Sequence, residues 1–268
     1  MADGRSSFGI RLELKEIWDS RFILRSLISK NLFGRYKNSI LGFAWHFAMP
    51  LMMLAVYYTV FTSIRTSDMP YFWVFLASGL FPFNFMISNL TGGASAVTGN
   101  AGMVKKMYFP REILVLAHVF SSFTIMVLGY TAILLVVTAS GFPLNPKTLL
   151  LLPIILVLSG AFVTGYVFLF SALNVYLRDV QYILSSLSML FFFMTPMYFT
   201  INSISGALNK IILFNPFTYF IEAYHNLVYS GTVPEFYILA MCILLPIVSL
   251  TIGWLVFRRL RCGFAERL

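Results

Sequence analysis

Hydrophobic residues in this chain come in long unbroken runs, and the charged residues stand between the runs. From Met69 to Val104 no side chain is charged, and similar stretches recur along most of the sequence. A charge at the centre of a bilayer costs roughly 2.5–3.5 kcal/mol even on insertion scales, so runs of this kind are what lipid demands. A helical span takes about 20 apolar residues, and six segments fit: 40–64, 71–90, 113–137, 149–173, 183–199 and 236–257. The fifth is the shortest. Continuous runs do not fit the ten-residue alternating strands of a membrane β-barrel. The pattern predicts an all-α integral membrane protein with six transmembrane helices in one domain, residues 1–268.

Three segments depart from the pattern. In residues 1–39, Ile10, Leu14, Ile17, Leu24 and Ile28 recur at helical spacing, flanked by Trp18, Leu27 and Leu32, while Arg11, Lys15, Arg21, Arg25 and Lys30 fill the other faces. This predicts a basic amphipathic helix in the membrane interface. It either anchors the chain to lipid or grips a partner. Residues 98–112 form a polar loop in which Val104, Met107 and Tyr108 can share one helical face while Lys105 and Lys106 project elsewhere. Phe109-Pro110-Arg111-Glu112 then reads as a helix start. The loop is a plain connector or a docking helix. Residues 211–229 are apolar but broken by Asn215-Pro216 and Glu222, too short on either side of the break to span. They predict a re-entrant helical hairpin between spans 5 and 6, a form that survives at membrane depth only inside protein or along a cavity.

Composition narrows the class. The chain is 59% hydrophobic and 11% charged, with a mean hydropathy of +0.83, which excludes disordered, collagenous and disulfide-scaffold proteins. The net charge of +9 gives topology rather than nucleic-acid binding. With the N-terminus inside, sixteen of the 19 Lys and Arg fall on the inner side, and only Arg65, Lys147 and Lys210 fall outside. Both termini are expected in the cytoplasm, with 258–268 a basic tail. Residues 1–39 lack the short apolar core of a cleavable signal. Cys242 and Cys262 sit in unlike surroundings and suggest neither a disulfide nor a metal site.

Missing chemistry is informative too. There is no GxxxxGK[ST], so no P-loop is expected on this chain, and Lys147-Thr148 follows Pro146 instead of the glycine a phosphate cradle needs. No HExxH, GxSxG or paired-carboxylate arrangement appears, and no metal or cofactor is expected here. His46 and His118 are the ionisable groups within spans, with Glu222 and His225 in the broken segment. Ion-coupled carriers generally need more buried carboxylates than this, and an integral-membrane enzyme would need acidic or histidine clusters on the inner loops. Glu222 reads either as a brace for its own hairpin or as a substrate contact. Aromatic residues make up 17% of the chain. Tyr57, Tyr58, Phe61, Phe72 and Phe81 serve helix packing and lipid contact, or else line a path for sugar rings, where flat faces give contact without a deep binding well.

Several stretches together resemble the ABC-2 family of exporter permeases, in particular the polysaccharide branch that moves lipid-linked O-antigen, with capsule and teichoic-acid permeases as relatives. They are Arg35-Tyr36-Lys37-Asn38-Ser39-Ile40-Leu41-Gly42 with Trp45 and Pro50 beyond, and Val104-Lys105-Lys106 followed by Tyr108-Phe109-Pro110-Arg111-Glu112. The others are Leu173-Asn174-Val175 to Arg178-Asp179-Val180, and Asn215-Pro216-Phe217-Thr218-Tyr219 with Glu222 downstream. The resemblance covers nearly the whole chain. It implies a half-transporter: a homodimer in the bacterial inner (plasma) membrane, joined by two P-loop nucleotide-binding subunits that hold ATP and Mg. The substrate would be an undecaprenyl-pyrophosphate-linked glycan. The resemblance makes Val104, Lys105, Lys106, Met107, Tyr108 and Phe109 the coupling helix that docks the ATPase. It makes Arg35, Tyr36, Lys37, Leu41 and Gly42 the entrance loop, and Asn215, Pro216, Tyr219 and Glu222 part of the exit. A drug or small-lipid exporter of the same layout is the alternative within the family.

Overall fold

The computed structural model describes residues 15–34, 42–64, 69–201 and 206–268, and every regular element among them is helical. After a helical turn at 15–19 come α1 (Arg21–Phe33), α2 (Trp45–Ile64), α3 (Phe72–Ala94), α4 (Ala101–Lys106), α5 (Glu112–Ala139) and α6 (Pro146–Leu149). They are followed by α7 (Leu152–Tyr176), α8 (Asp179–Met194), α9 (Ala207–Phe214), α10 (Pro216–Tyr224), a π-helical turn (His225–Ser230), α11 (Phe236–Leu260) and α12 (Phe264–Arg267).

Four of these runs are long and apolar enough to cross a membrane: Phe72–Ala94, Glu112–Ala139, Pro146–Tyr176 and Phe236–Arg267. They correspond to the second, third, fourth and sixth of the segments expected from sequence. The first and fifth give shorter apolar helices, Phe47–Ser63 within α2, and α8. At 16 residues α8 rises only about 24 Å, less than the ~30 Å hydrocarbon core of a bilayer. It stops where Thr195-Pro196 follow, since a residue before proline is driven out of helical geometry.

Helix α3 is the hub. It is buried on most of its surface and packs against α2, α5, α7, α8, α10 and the π-helical turn. Several polar side chains inside the bundle find partners, which a medium without water favours. Ser122 Oγ donates to Asn89 Oδ1 (2.9 Å), joining α5 to α3, and Tyr130 donates from α5 to the Ser78 carbonyl (3.1 Å). Helices α7 and α11 pack most closely. A Cβ on Gly253 would collide with the Gly165 carbonyl, and one on Gly165 with the Ser249–Leu250 backbone. Small residues that let two backbones meet are a standard way to join helices in lipid.

Long-range hydrogen bonds define the two ends of the bundle. At one end Tyr176 donates to the Leu260 carbonyl (3.0 Å) and Arg111 to the Arg261 carbonyl (2.6 Å). This basic end gathers Lys105, Lys106, Arg111, Arg178 and the tail from Arg258. At the far end Tyr229 donates to the Pro70 carbonyl (2.8 Å) and Asn145 to the Gly231 carbonyl (2.9 Å). Helix α1 lies against α5. Its stripe is centred differently from the expectation: Leu27 is buried and Ile23, Leu24 and Ile28 pack on the core, whereas Trp18 and Phe22 are exposed. Ile10, Leu14 and Arg11 lie outside the described residues.

Candidate functional site

At the basic end a 3-10 turn, Thr98–Asn100, leads into the six-residue α4. The expected shared face of Val104, Met107 and Tyr108 does not form. The helix stops at Lys106, and Met107 takes extended backbone (φ −130°, ψ 140°). Val104 and Phe109 turn into the core, while Lys105, Lys106, Met107 and Tyr108 all project outward. Stopping the helix one turn early splits the six residues into two anchors and four free side chains. Tyr108 is fully exposed.

Glu112 does more than open its helix. It is 1% exposed and ion-paired through Oε1 to Arg261, at the end of α11, while neighbouring Arg111 donates to the Arg261 carbonyl. The first turn of α5 is thereby clamped to the tail. The second oxygen, Oε2, is buried with no hydrogen-bond partner among the described residues, an omission that ordinarily costs about 1–3 kcal/mol. Glu112 lines a cleft of about 230 Å³ with Glu16, Tyr108, Arg111, Arg261 and Cys262. Sequence reasoning missed this cluster because its halves stand far apart in the chain. The one available signal was an acidic residue at the mouth of an apolar span with an arginine-rich tail to meet it.

Of the entrance-loop residues, Arg35, Tyr36, Lys37 and Leu41 lie outside the described residues. Gly42 has φ +46°, a left-handed conformation that glycine adopts without steric cost, and opens a 3-10 turn ahead of α2.

Four of the five aromatic residues separate into two sets, and Tyr58 stands apart. Tyr57 lies 5.4 Å from Phe192 of α8, and Phe61 stacks on Tyr198 (4.3 Å between ring centres, 8° between planes). Rings thus form a seam between α2, α8 and the segment that follows α8. Tyr58 is exposed. Phe81 and Phe72 are buried within the helix packing, Phe81 against Gly129 and Phe72 beside Phe75. The structure does not bring these two to an open surface.

In residues 211–229, Asn215 and Pro216 start α10 as the spacing predicts. Asn215 Oδ1 accepts from the Phe217 N–H (3.0 Å), and Pro216 takes the first helical position, where no N–H is needed. Asn215 Nδ2 also donates to Thr195 Oγ1 (2.8 Å), tying the turn to the end of α8. Thr218 and Tyr219 donate to the Ile212 and Leu213 carbonyls, both at 2.8 Å, and fold α10 back on α9. His225 completes the clamp. Its ring stacks on Phe75 at 3.9 Å, Nε2 donates to the Pro196 carbonyl (3.0 Å), and Nδ1 lies 2.9 Å from the Ser78 hydroxyl. A carbonyl only accepts, so the proton sits on Nε2. Burial holds the imidazole neutral, its pKa lowered to about 3. Glu222 makes no hydrogen bond among the described residues. Burial, and then the neighbouring Glu235, push its carboxyl up to about 7.

With this geometry in view, a family profile described as ABC-2 type transporter matches residues 23–229. The chain belongs to the ABC-2 type transporter family. It is 29% identical over 262 residues to the O-antigen export system permease protein RfbA of Myxococcus xanthus, covering 97% of this chain and 100% of that one. An RfbA of Klebsiella pneumoniae is also 29% identical, over 92% of this chain and 95% of its own. The polysialic acid transport protein KpsM of Escherichia coli is 23% identical over 92% of this chain and 94% of its own. An ABC-2 permease is a membrane-embedded transport subunit, and it works with a nucleotide-binding subunit. The outward-facing Lys105–Tyr108 segment is the exposed part of the loop to which family resemblance assigns docking.

Proposed function

We propose that this chain is the membrane-spanning half of an ATP-driven exporter for an undecaprenyl-pyrophosphate-linked, O-antigen-like polysaccharide. It carries the glycan from the cytoplasmic to the outer side of the bacterial inner membrane. Two copies form the path, and two P-loop subunits, which hold ATP and Mg, drive it from the basic end. The observation that carries this reading is end-to-end similarity to permeases named for O-antigen export, over a bundle whose cations collect at one end.

In this reading both termini are cytoplasmic and there are six spans. Helices α2 and α8 serve as the first and fifth, and α8 reaches the outer face through the segment 195–199. Helix α1 lies in the inner interface, and α9 and α10 form a re-entrant hairpin at the exit. The clamp of Asn215 on Thr195 and of His225 on Pro196 supports moving the hairpin and the end of α8 as one body. The seam of Tyr57, Phe61, Phe192 and Tyr198 offers stacking faces to sugars. Tyr58 lies on the exposed side of α2, toward lipid or the second copy.

The test is genetic and chemical. Removing the chain from its host should strand lipid-linked glycan on the cytoplasmic side and strip it from the cell surface, with restoration by the intact gene. Unchanged surface glycan in the deletion strain would refute the proposal.

A further inference from the structure

The cleft at the basic end contains an unmet hydrogen-bonding demand. Buried polar groups in native structures are almost always paired, and an ionised carboxylate accepts at about four lone-pair positions. Glu112 uses Oε1 on Arg261 and leaves Oε2 buried and without a partner among the described residues, while its side chain forms part of the cleft wall. Met107, Tyr108, Glu16 and Cys262, all exposed, also line the cleft.

We infer that this cleft seats a basic side chain of the ATPase subunit, a lysine or arginine that enters beside Tyr108 and donates to Glu112 Oε2. The inference rests on the reading that a separate ATPase docks at this end. Three observations select a cation from a partner. The cleft's acidic groups are Glu112, whose Oε2 has no donor among the described residues, and the exposed Glu16. Its arginines are already engaged, Arg111 with the Arg261 carbonyl and Arg261 with Glu112. Among the described residues no lysine of this chain lines the cleft, and Lys105 and Lys106 project into solvent.

The seat has a mechanical consequence. Because Glu112 opens α5 and Arg261 ends α11, a partner residue held there grips two membrane helices together. Displacement of the ATPase subunit would then be felt at the ends of α5 and α11, beyond the short α4.

Cys262 provides a natural probe, since it lines the cleft and is exposed while Cys242 is buried. The full chain is purified alone and in complex with its ATPase subunit, and alkylation of Cys262 by iodoacetamide is timed in each. The complex should slow the reaction about tenfold or more. A thiol-anchored photocrosslinker on Cys262 should capture an ATPase peptide containing lysine or arginine. Glu112→Gln should weaken retention of the ATPase about tenfold, as loss of one member of a desolvated charge pair does. A stable complex in which Cys262 reacts at the free-chain rate, or a captured peptide without a basic residue, would overturn the inference alone. Failure to form any complex would remove the docking reading as well.

Discussion

Gly165 and Gly253 meet backbone to backbone where α7 crosses α11, leaving no room for a methyl group on Gly253. In lipid there is no hydrophobic force to press two helices together, so close packing must do it. Gly253→Val should therefore force the helices apart. Overpacking typically costs 1–3 kcal/mol, and more where backbone is the obstacle. The expected result is a large loss of folded protein in fluorescence-detected size-exclusion chromatography. The neighbouring Ile252→Val, on an exposed position, should behave like wild type.

The early end of α4 divides the outward side chains proposed for docking from the inward ones that serve folding. Replacing Met107 and Tyr108 by Ala should leave the monodisperse elution profile unchanged but lose co-purification with the ATPase subunit. Val104→Ala, at a buried position, should lower thermal stability by roughly 1–2 kcal/mol. Equal stability losses in the two variants would contradict the assignment of outward and inward side chains.

The aromatic residues should divide in the same way. Tyr57→Ala and Phe61→Ala open the seam on α2 and should slow glycan export several-fold with folding intact. Phe81→Ala removes a buried ring and should cost about 3–5 kcal/mol, appearing as lost protein. Radiolabelled glycan at the cell surface, divided by the amount of permease, measures both. Wild-type export per molecule in Tyr57→Ala and Phe61→Ala would exclude stacking at the seam.

Glu222 gives the far end a pH response. Its pKa is raised from 4.5 to about 7, chiefly by burial and then by Glu235, so the folded chain binds more protons than the unfolded one between those values. That stabilisation is complete below about pH 4.5 and is lost as pH rises through 7. Glu222→Gln removes the titration. Relative to wild type, the variant should gain up to about 3 kcal/mol in thermal unfolding at pH 8 compared with pH 4.5. An unchanged difference between the two chains at these pH values would show that Glu222 does not titrate in this way.

The apolar runs made α3, α5, α7 and α11 legible in the sequence, because span length follows from bilayer thickness alone. The start of α10 at Asn215-Pro216 was legible for an equally local reason: a side-chain cap and a proline at the first turn need no distant partner. What stayed hidden depends on tertiary pairing. Periodicity placed Leu27 beside the α1 stripe, but α5 decides which side of α1 is covered. It could not foresee that α4 would end at Lys106 and turn Met107 away from Val104. Glu112 and Arg261 each look like ordinary terminal charges until the bundle brings them together. Phe72 and Phe81 resembled Tyr57 and Phe61 in composition and differ only in what packs against them.

The central claim is best tested in proteoliposomes that hold the purified chain with its ATPase subunit and an undecaprenyl-pyrophosphate-linked glycan. The glycan is followed across the bilayer by its accessibility to an impermeant glycosidase. The account predicts ATP-dependent transfer toward the far-end side, none without the ATPase subunit, and none with a P-loop lysine variant of that subunit. Transfer by this chain alone, or ATP turnover stimulated by small amphiphiles but not by the glycan, would contradict it.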